Sequence, residues 1–169
     1  MRAYIGLGSN LADPVQQVMS ALEELGSIPQ SQRVAHSPLY RCAPIGPRNQ
    51  PDYINAVAAL DTPLDAKILL HYLQEIEQRH ERVRNGERWG PRTLDLDLIL
   101  YGNEIFSDGE LTLPHPRAHQ RAFVLAPLYS VAPSAMIPGK GRVVDLLKAC
   151  GSQHIEMIDS AVQRDNNKR

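Results

Sequence analysis

The spacing of apolar positions changes several times along the chain, and each change predicts an element. Ala3, Tyr4, Ile5, Gly6, Leu7 and Gly8 predict a short strand that ends at the polar pair Ser9-Asn10. Asp13 as cap, Pro14 at the first helical position and the stripe Val15, Val18, Met19, Leu22 and Leu25 predict a helix that Gly26 stops. Residues 32–41 are weakly strand-like, with Pro38 marking a bulge or an edge. Over 53–60 a strand would place Tyr53, Asn55, Val57 and Ala59 on one face and Ile54, Ala56, Ala58 and Leu60 on the other. Thr62 as cap, Pro63 in the first turn and Leu64, Ile68, Leu69, Tyr72, Leu73 and Ile76 predict a second helix. From Leu94 onward the residues alternate, so Leu94, Leu96, Leu98 and Leu100 would share one face while Asp95 and Asp97 share the other.

Between these elements the punctuation is clear. Residues 42–51 are rich in proline and glycine, which suits a loop that covers a site. Residues 101–103 are turn chemistry, 104–113 predict a small hairpin around Asp108-Gly109, and the prolines hold 113–116 extended. Residues 117–131 read as helical up to an interruption at Pro127, and 134–158 as a loop with one short helix around 143–150. The order strand, helix, strand, strand, helix, strand predicts an α+β, ferredoxin-like fold: an antiparallel sheet with helices packed on its faces.

Length and charge narrow the picture. The 169 residues suit one domain, taken as 1–160 with a frayed polar tail over 161–169. A formal net charge of −1 gives no overall basic footprint and argues against nucleic acid as a general partner. Cys42 and Cys150 are too few for a disulfide scaffold and lack metal-ligand spacing, which points to reduced thiols in the cytoplasm. No signal segment precedes the first strand, and no apolar run approaches the ~20 residues of a membrane helix, so a soluble, unexported protein is expected.

The candidate chemistry sits on the Asp strand. Two carboxylates on one face of a strand lie ~7 Å apart at ~3.3 Å per residue and repel each other unless a cation lies between them. A hard divalent ion such as Mg²⁺ is commonly held by one or two carboxylates together with substrate phosphates. Just upstream, Arg79, Arg82, Arg84, Arg88 and Arg92 concentrate positive charge, and guanidinium groups grip phosphate oxygens as a bidentate fork. Metal plus arginines points to a nucleotide. A solvated polar face and helix-end ion pairs with Glu75, Glu77, Glu81 and Glu87 would explain the same residues singly. Gly6 and Gly8 lack a third glycine at position 11, which is Leu11, so they predict a tight turn into a helix rather than a dinucleotide loop.

The run Arg88-Trp89-Gly90-Pro91-Arg92-Thr93-Leu94-Asp95-Leu96-Asp97-Leu98-Ile99 closely resembles the signature of the 6-hydroxymethyl-7,8-dihydropterin pyrophosphokinases of folate biosynthesis. The start Tyr4-Ile5-Gly6-Leu7-Gly8-Ser9-Asn10, the segment from Gln50 to Ala56, Leu113-Pro114-His115-Pro116 and Arg121-Ala122-Phe123-Val124-Leu125 match in family order, up to about Pro133. The resemblance implies the same α+β fold and transfer of pyrophosphate from ATP to a pterin alcohol, with AMP released. It implies Asp95 and Asp97 as ligands of two Mg²⁺ ions, which in such sites lie about 3.5 to 4 Å apart. Arg82 and Arg92 would neutralise the transferring group, and Glu77, Arg84, Arg88, His115 and Arg121 would bind ATP. The pterin would meet Tyr53, Asn55, Trp89 and Phe123, the backbone around Pro44 and Ile45, and Cys42, where some members of the family carry threonine. The substrates would be ATP and the reduced pterin, and the enzyme a monomer. A two-metal nucleotidyltransferase and an RNA-binding module remain the alternatives, separable by the products formed from ATP and by salt-sensitive RNA binding.

Overall fold

A computed structural model describes residues 1–44, 49–80, 93–151 and 153–158. The chain runs β1 (Arg2–Ser9), α1 (Pro14–Leu25), β2 (Gln32–His36), β3 (Tyr40–Cys42), β4 (Tyr53–Asp61), α2 (Ala66–His80) and β5 (Asp95–Tyr101). There follow a hairpin of β6 (Phe106–Ser107) and β7 (Thr112–Leu113), a 3-10 turn (Ala118–Gln120) and α3 (Ala122–Val131). β8 (Met136–Ile137), β9 (Gly141–Arg142), α4 (Val143–Ala149) and β10 (Ile155–Met157) complete the fold. The main sheet is antiparallel in the order β10-β3-β4-β1-β5, with β2 also paired to β4. With α1 after β1 and α2 after β4, the first five strands have the ferredoxin-like topology the element order predicts.

The two faces are buried by different helices. Ile54, Ala56, Ala58 and Leu60 of β4 join Leu94, Leu96 and Leu98 in a core with Leu22, Leu25, Leu69, Leu73 and Ile76 of α1 and α2. Each such leucine or isoleucine contributes roughly 1.5–3 kcal/mol by leaving water. On the other face Val57, Ile99 and Leu100 pack with Val124, Leu125 and Leu128 of α3 and Val143 at the start of α4. The Asp13 carboxylate accepts from Gln16 N, Pro14 opens α1 and Gly26 closes it, so three local signals fix that helix.

Several expectations need correction. Met19 and Ile68 are exposed, because each lies at the edge of its helix's apolar stripe, beyond the reach of the sheet. Thr62 does not cap α2: its hydroxyl accepts from Leu64 N and from Ser31 Oγ, and the helix begins at Ala66, with Leu69 N bonding Asp65 O. Gly6 and Gly8 lie inside β1 rather than in a tight turn. Leu100 leaves the face of the other leucines. Tyr4 pairs with Leu100 and Ile5 with Leu98, so Ile99 has no opposite residue, and this bulge turns Leu100 toward α3 and Tyr101 toward α2. Pro127 sits within α3, and the break falls earlier, at Arg121; a helix buried along most of its length tolerates the one backbone bond that proline removes. Residues 155–157, expected as loop, pair with β3. The proposed tail at 161–169 lies outside the described residues.

Candidate active site

α3 covers only part of its face of the sheet. Where it stops, a cavity of about 560 Å³ opens over the ends of β1, β4 and β5. Its floor follows from strand register: Gly8 lies between Asn55 of β4 and Asp95 of β5, and Gly6 lies between Val57 and Asp97. A Cβ on Gly8 would come within 3.0 Å of Asn55 Oδ1, and one on Gly6 within 3.2 Å of Ile99 Cδ1. Bare backbone in the centre strand therefore lets a flat ligand lie between an amide on one side and two carboxylates on the other.

On the carboxylate side, Asp97 is exposed and Asp95 half-buried, while the alternating Leu94, Leu96 and Leu98 are at most 3 % exposed. His115 N donates to Ile99 O at 3.0 Å, which fastens the His115 segment along β5. His115 Nδ1 accepts from Arg117 N at 3.2 Å, so in the neutral ring the N–H is on Nε2, available as a donor. Burial foremost pushes the His115 imidazole below its ordinary range; Asp97 opposes this, and Arg121 and Arg117 add to it. Burial likewise lowers Arg121, against Asp97 and Asp95, and its guanidinium lies 5.4 Å from the centre of the Phe123 ring. Carboxylates and cations thus share one opening.

The donor set fits Mg²⁺ held jointly with a ligand. Among the described residues no group of three or more His, Cys, Asp or Glu side chains could enclose a metal, but Asp95 and Asp97 offer oxygen donors on one face of one strand. Two carboxylates with the remaining positions left to phosphate and water is the arrangement this ion commonly adopts.

At the other end, Asn55 is 5 % exposed and donates from Nδ2 to Cys42 Sγ at 3.0 Å. Burial pushes the Cys42 thiol up to about 11, although the Asn55 bond acts in the opposite direction, so the sulfur stays protonated. Tyr53 and Phe123 both line the cavity. Two polar anchors at the end of β1 hold the approaches. Asn10, 1 % exposed, donates to Gln50 Oε1 and Pro51 O, each at 3.1 Å, and the Ser9 hydroxyl donates to Thr93 O.

Of the residues singled out from sequence, the structure brings Cys42, Tyr53, Asn55, Asp95, Asp97, His115, Arg121 and Phe123 together around this cavity. Pro44 and Glu77 do not line it: Pro44 follows the lining residue Ala43, and Glu77 is on α2. Ile45, Arg82, Arg84, Arg88, Trp89 and Arg92 lie outside the described residues, as does Arg48. Sequence reasoning missed the glycine floor, whose signal was present in the two-residue spacing of Gly6 and Gly8 within a strand. It also missed Arg117, for which the sequence carries no signal beyond closeness to His115.

Comparison with known proteins places the chain in a family. The family model for 7,8-dihydro-6-hydroxymethylpterin-pyrophosphokinase (HPPK) matches residues 4–133. A 2-amino-4-hydroxy-6-hydroxymethyldihydropteridine pyrophosphokinase of Pseudomonas aeruginosa is 46% identical over 160 residues, covering 95% of this chain and 98% of that protein. One from Haemophilus influenzae is 46% identical over 146 residues, covering 86% and 91%. Among solved structures, an HPPK-DHPS in complex with substrates superposes with a TM-score of 0.66 at 11% identity, over 88% of this chain and 43% of that longer chain. At that identity the likeness shows the fold alone.

Proposed function

The chain belongs to the 7,8-dihydro-6-hydroxymethylpterin-pyrophosphokinase family, and from that premise we propose how its cavity divides the work of the reaction. The enzyme is an ATP-dependent pyrophosphokinase of folate biosynthesis, acting on ATP and 6-hydroxymethyl-7,8-dihydropterin. The comparisons give no support to a nucleotidyltransferase or an RNA-binding module. In the transfer, the pterin hydroxymethyl oxygen bonds to the β-phosphorus of ATP, the bond from that phosphorus to the bridging oxygen on the α-phosphate breaks, AMP departs with the electron pair, and the hydroxyl proton is released.

The pterin lies on the glycine floor between Tyr53 and Phe123. Asn55, oriented by Cys42, meets its heteroatom edge, as amides do when they read the edge of a base. Arg121 and the Nε2–H of His115 bind phosphate oxygens, stabilising charge that water alone would otherwise solvate. Asp95 and Asp97 would hold Mg²⁺, two ions in our reading, which when bound would neutralise phosphate charge and make the pterin hydroxyl more acidic. By family position, Arg82 and Arg92 act on the transferring group, Arg84, Arg88 and Glu77 on ATP, and Trp89, Pro44 and Ile45 on the pterin.

We read the enzyme as a monomer with a single catalytic domain over 1–160, a length that suits one hydrophobic core shared by two helix-covered sheet faces. No described helix is long and apolar enough to cross a membrane. ATP as co-substrate and two free cysteines suit the cytoplasm.

The single observation that carries this division is that register, not loop placement, sets Asn55, the two glycines and both aspartates in neighbouring rows of one sheet. Asp95→Ala and Asp97→Ala test it. Each should abolish AMP release from ATP in the presence of the pterin and Mg²⁺, leave the melting temperature unchanged, and preserve pterin binding. Normal turnover in either variant would remove the carboxylates from the reaction.

A further inference from the structure

The cavity holds one cation that the division of roles above leaves unused. Arg117 is exposed, lines the opening, and follows His115 by two residues. Its backbone is held firmly. Arg117 N donates to His115 Nδ1 at 3.2 Å, Gln120 N donates to Arg117 O at 3.1 Å, and Arg121 N donates to Ala118 O at 3.3 Å. This winding presents His115, Arg117 and Arg121 to the same opening. Arg117 forms no ion pair among the described residues, and neither does Arg121. The three groups are close enough to feel one another, since Arg117 disfavours the charged forms of both His115 and Arg121. Asp97 and Asp95 offset part of this mutual repulsion without pairing directly with either arginine, and an incoming polyanion would relieve the remainder.

Resting on the pyrophosphokinase reading, we infer that Arg117 is a further nucleotide-binding residue that engages the phosphate chain of ATP from the rim of the cavity beside His115 and Arg121. The competing account is a solvated arginine on an exposed turn, the ordinary fate of a surface guanidinium. The two accounts differ in ligand selectivity and in salt dependence. A guanidinium that meets phosphate contributes to binding of the triphosphate, contributes nothing to binding of the pterin, and adds to the sensitivity of nucleotide binding to salt.

The test uses the full chain and an ATP analogue with a methylene bridge between the α- and β-phosphorus atoms, the linkage the reaction breaks. Binding of the analogue with Mg²⁺, and of the reduced pterin alone, is titrated for wild type, Arg117→Gln, Arg117→Lys and Arg121→Gln at low and high salt. We expect Arg117→Gln to weaken the analogue about tenfold at low salt, as loss of one charge-assisted hydrogen bond does, and to flatten its salt dependence. Arg117→Lys should recover part of the loss, and pterin affinity should stay at the wild-type value. Wild-type analogue affinity in Arg117→Gln, with Arg121→Gln weakened, would overturn the inference and leave the site reading intact. Wild-type affinity in both variants would instead overturn the site reading. Equal weakening of analogue and pterin would also overturn the inference, since it would mark a change in the shape of the cavity.

Discussion

The glycine floor makes a prediction in which stability and function part company. Gly8 has no positive φ, so alanine fits its backbone, and the substitution should gain about 0.4–1 kcal/mol by restricting the unfolded chain. Against this, the new methyl group sits 3.0 Å from Asn55 Oδ1 and 4.0 Å from Tyr53 Cδ1, so the amide has to give by a few tenths of an ångström. That crowding costs roughly 1 kcal/mol, at the low end for an added methyl group in a packed place, because one side of Gly8 faces the cavity. The two nearly cancel, and the melting temperature should stay within about 2–4 °C of wild type, the shift that 1 kcal/mol produces at this chain length. Ligand binding has no such compensation. In the proposed arrangement the methyl group would occupy the slot assigned to the pterin, and a displaced Asn55 would lose its geometry toward both Cys42 and the ligand. A ligand group left unpaired in a buried pocket costs about 1–3 kcal/mol. That corresponds to about 5- to 140-fold in affinity. The checks are thermal melting and titrations with the reduced pterin and, separately, with the ATP analogue. Wild-type pterin affinity at an unchanged melting temperature would show that the pterin does not rest on this floor, and the reasoning would fail.

Leu96→Ala should behave in the opposite way, costing roughly 2–5 kcal/mol through the cavity left beneath β5 while sparing ligand affinities; an unchanged denaturation midpoint would place Leu96 outside the core. The tip of the hairpin should show a signature in acid. Asp108 accepts from Glu110 N and Leu111 N and pairs with Lys67, and these bonds, the Lys67 bond foremost, lower its carboxyl from 3.8 to about 2. Its folded-state value is depressed, so its contribution is complete above 3.8 and is lost as pH falls through about 2. The Glu110 and Leu111 amide resonances should therefore titrate with a midpoint near 2, and a midpoint at 3.8 would show that the bonds do not form.

How much of this was legible in the sequence depended on how local the determinants are. α1 was readable because its cap, its first-turn proline and its terminating glycine are contiguous with the helix. The two faces of β4 and the outward aspartates of β5 followed from alternation, which is a property of the strand itself. The position of Leu100 depended on a bulge that exists only in the pairing of β5 with β1. The pairing of β10 with β3 likewise joins segments far apart in the chain, and neither carries a pattern that names its partner. Pro127 misled because it was judged by backbone rules alone, while burial of α3 on the sheet and against α4 decides that helix. The lining of the cavity was legible where polar chemistry is concentrated in side chains, as at Asp95, Asp97, His115 and Arg121. It was illegible where the contribution is an absent side chain, as at Gly6 and Gly8, or a side chain placed by a turn, as at Arg117.

The bulge at Ile99 also sets how freely this strand can change over generations. On its N-terminal side, Asp95 and Asp97 line the cavity, so under the proposed division of roles a polar replacement there would alter the reaction and spare the fold. Beyond the bulge, Ile99 and Leu100 are both covered by α3, and the same replacement would bury an unsatisfied group. Selection for catalysis and selection for folding therefore act on separate ends of one seven-residue strand, with Leu98 as the boundary between them. A lineage could retune the carboxylate end without repaying stability elsewhere, whereas an insertion or deletion at the bulge would exchange the faces of the residues beyond it and be lost at once.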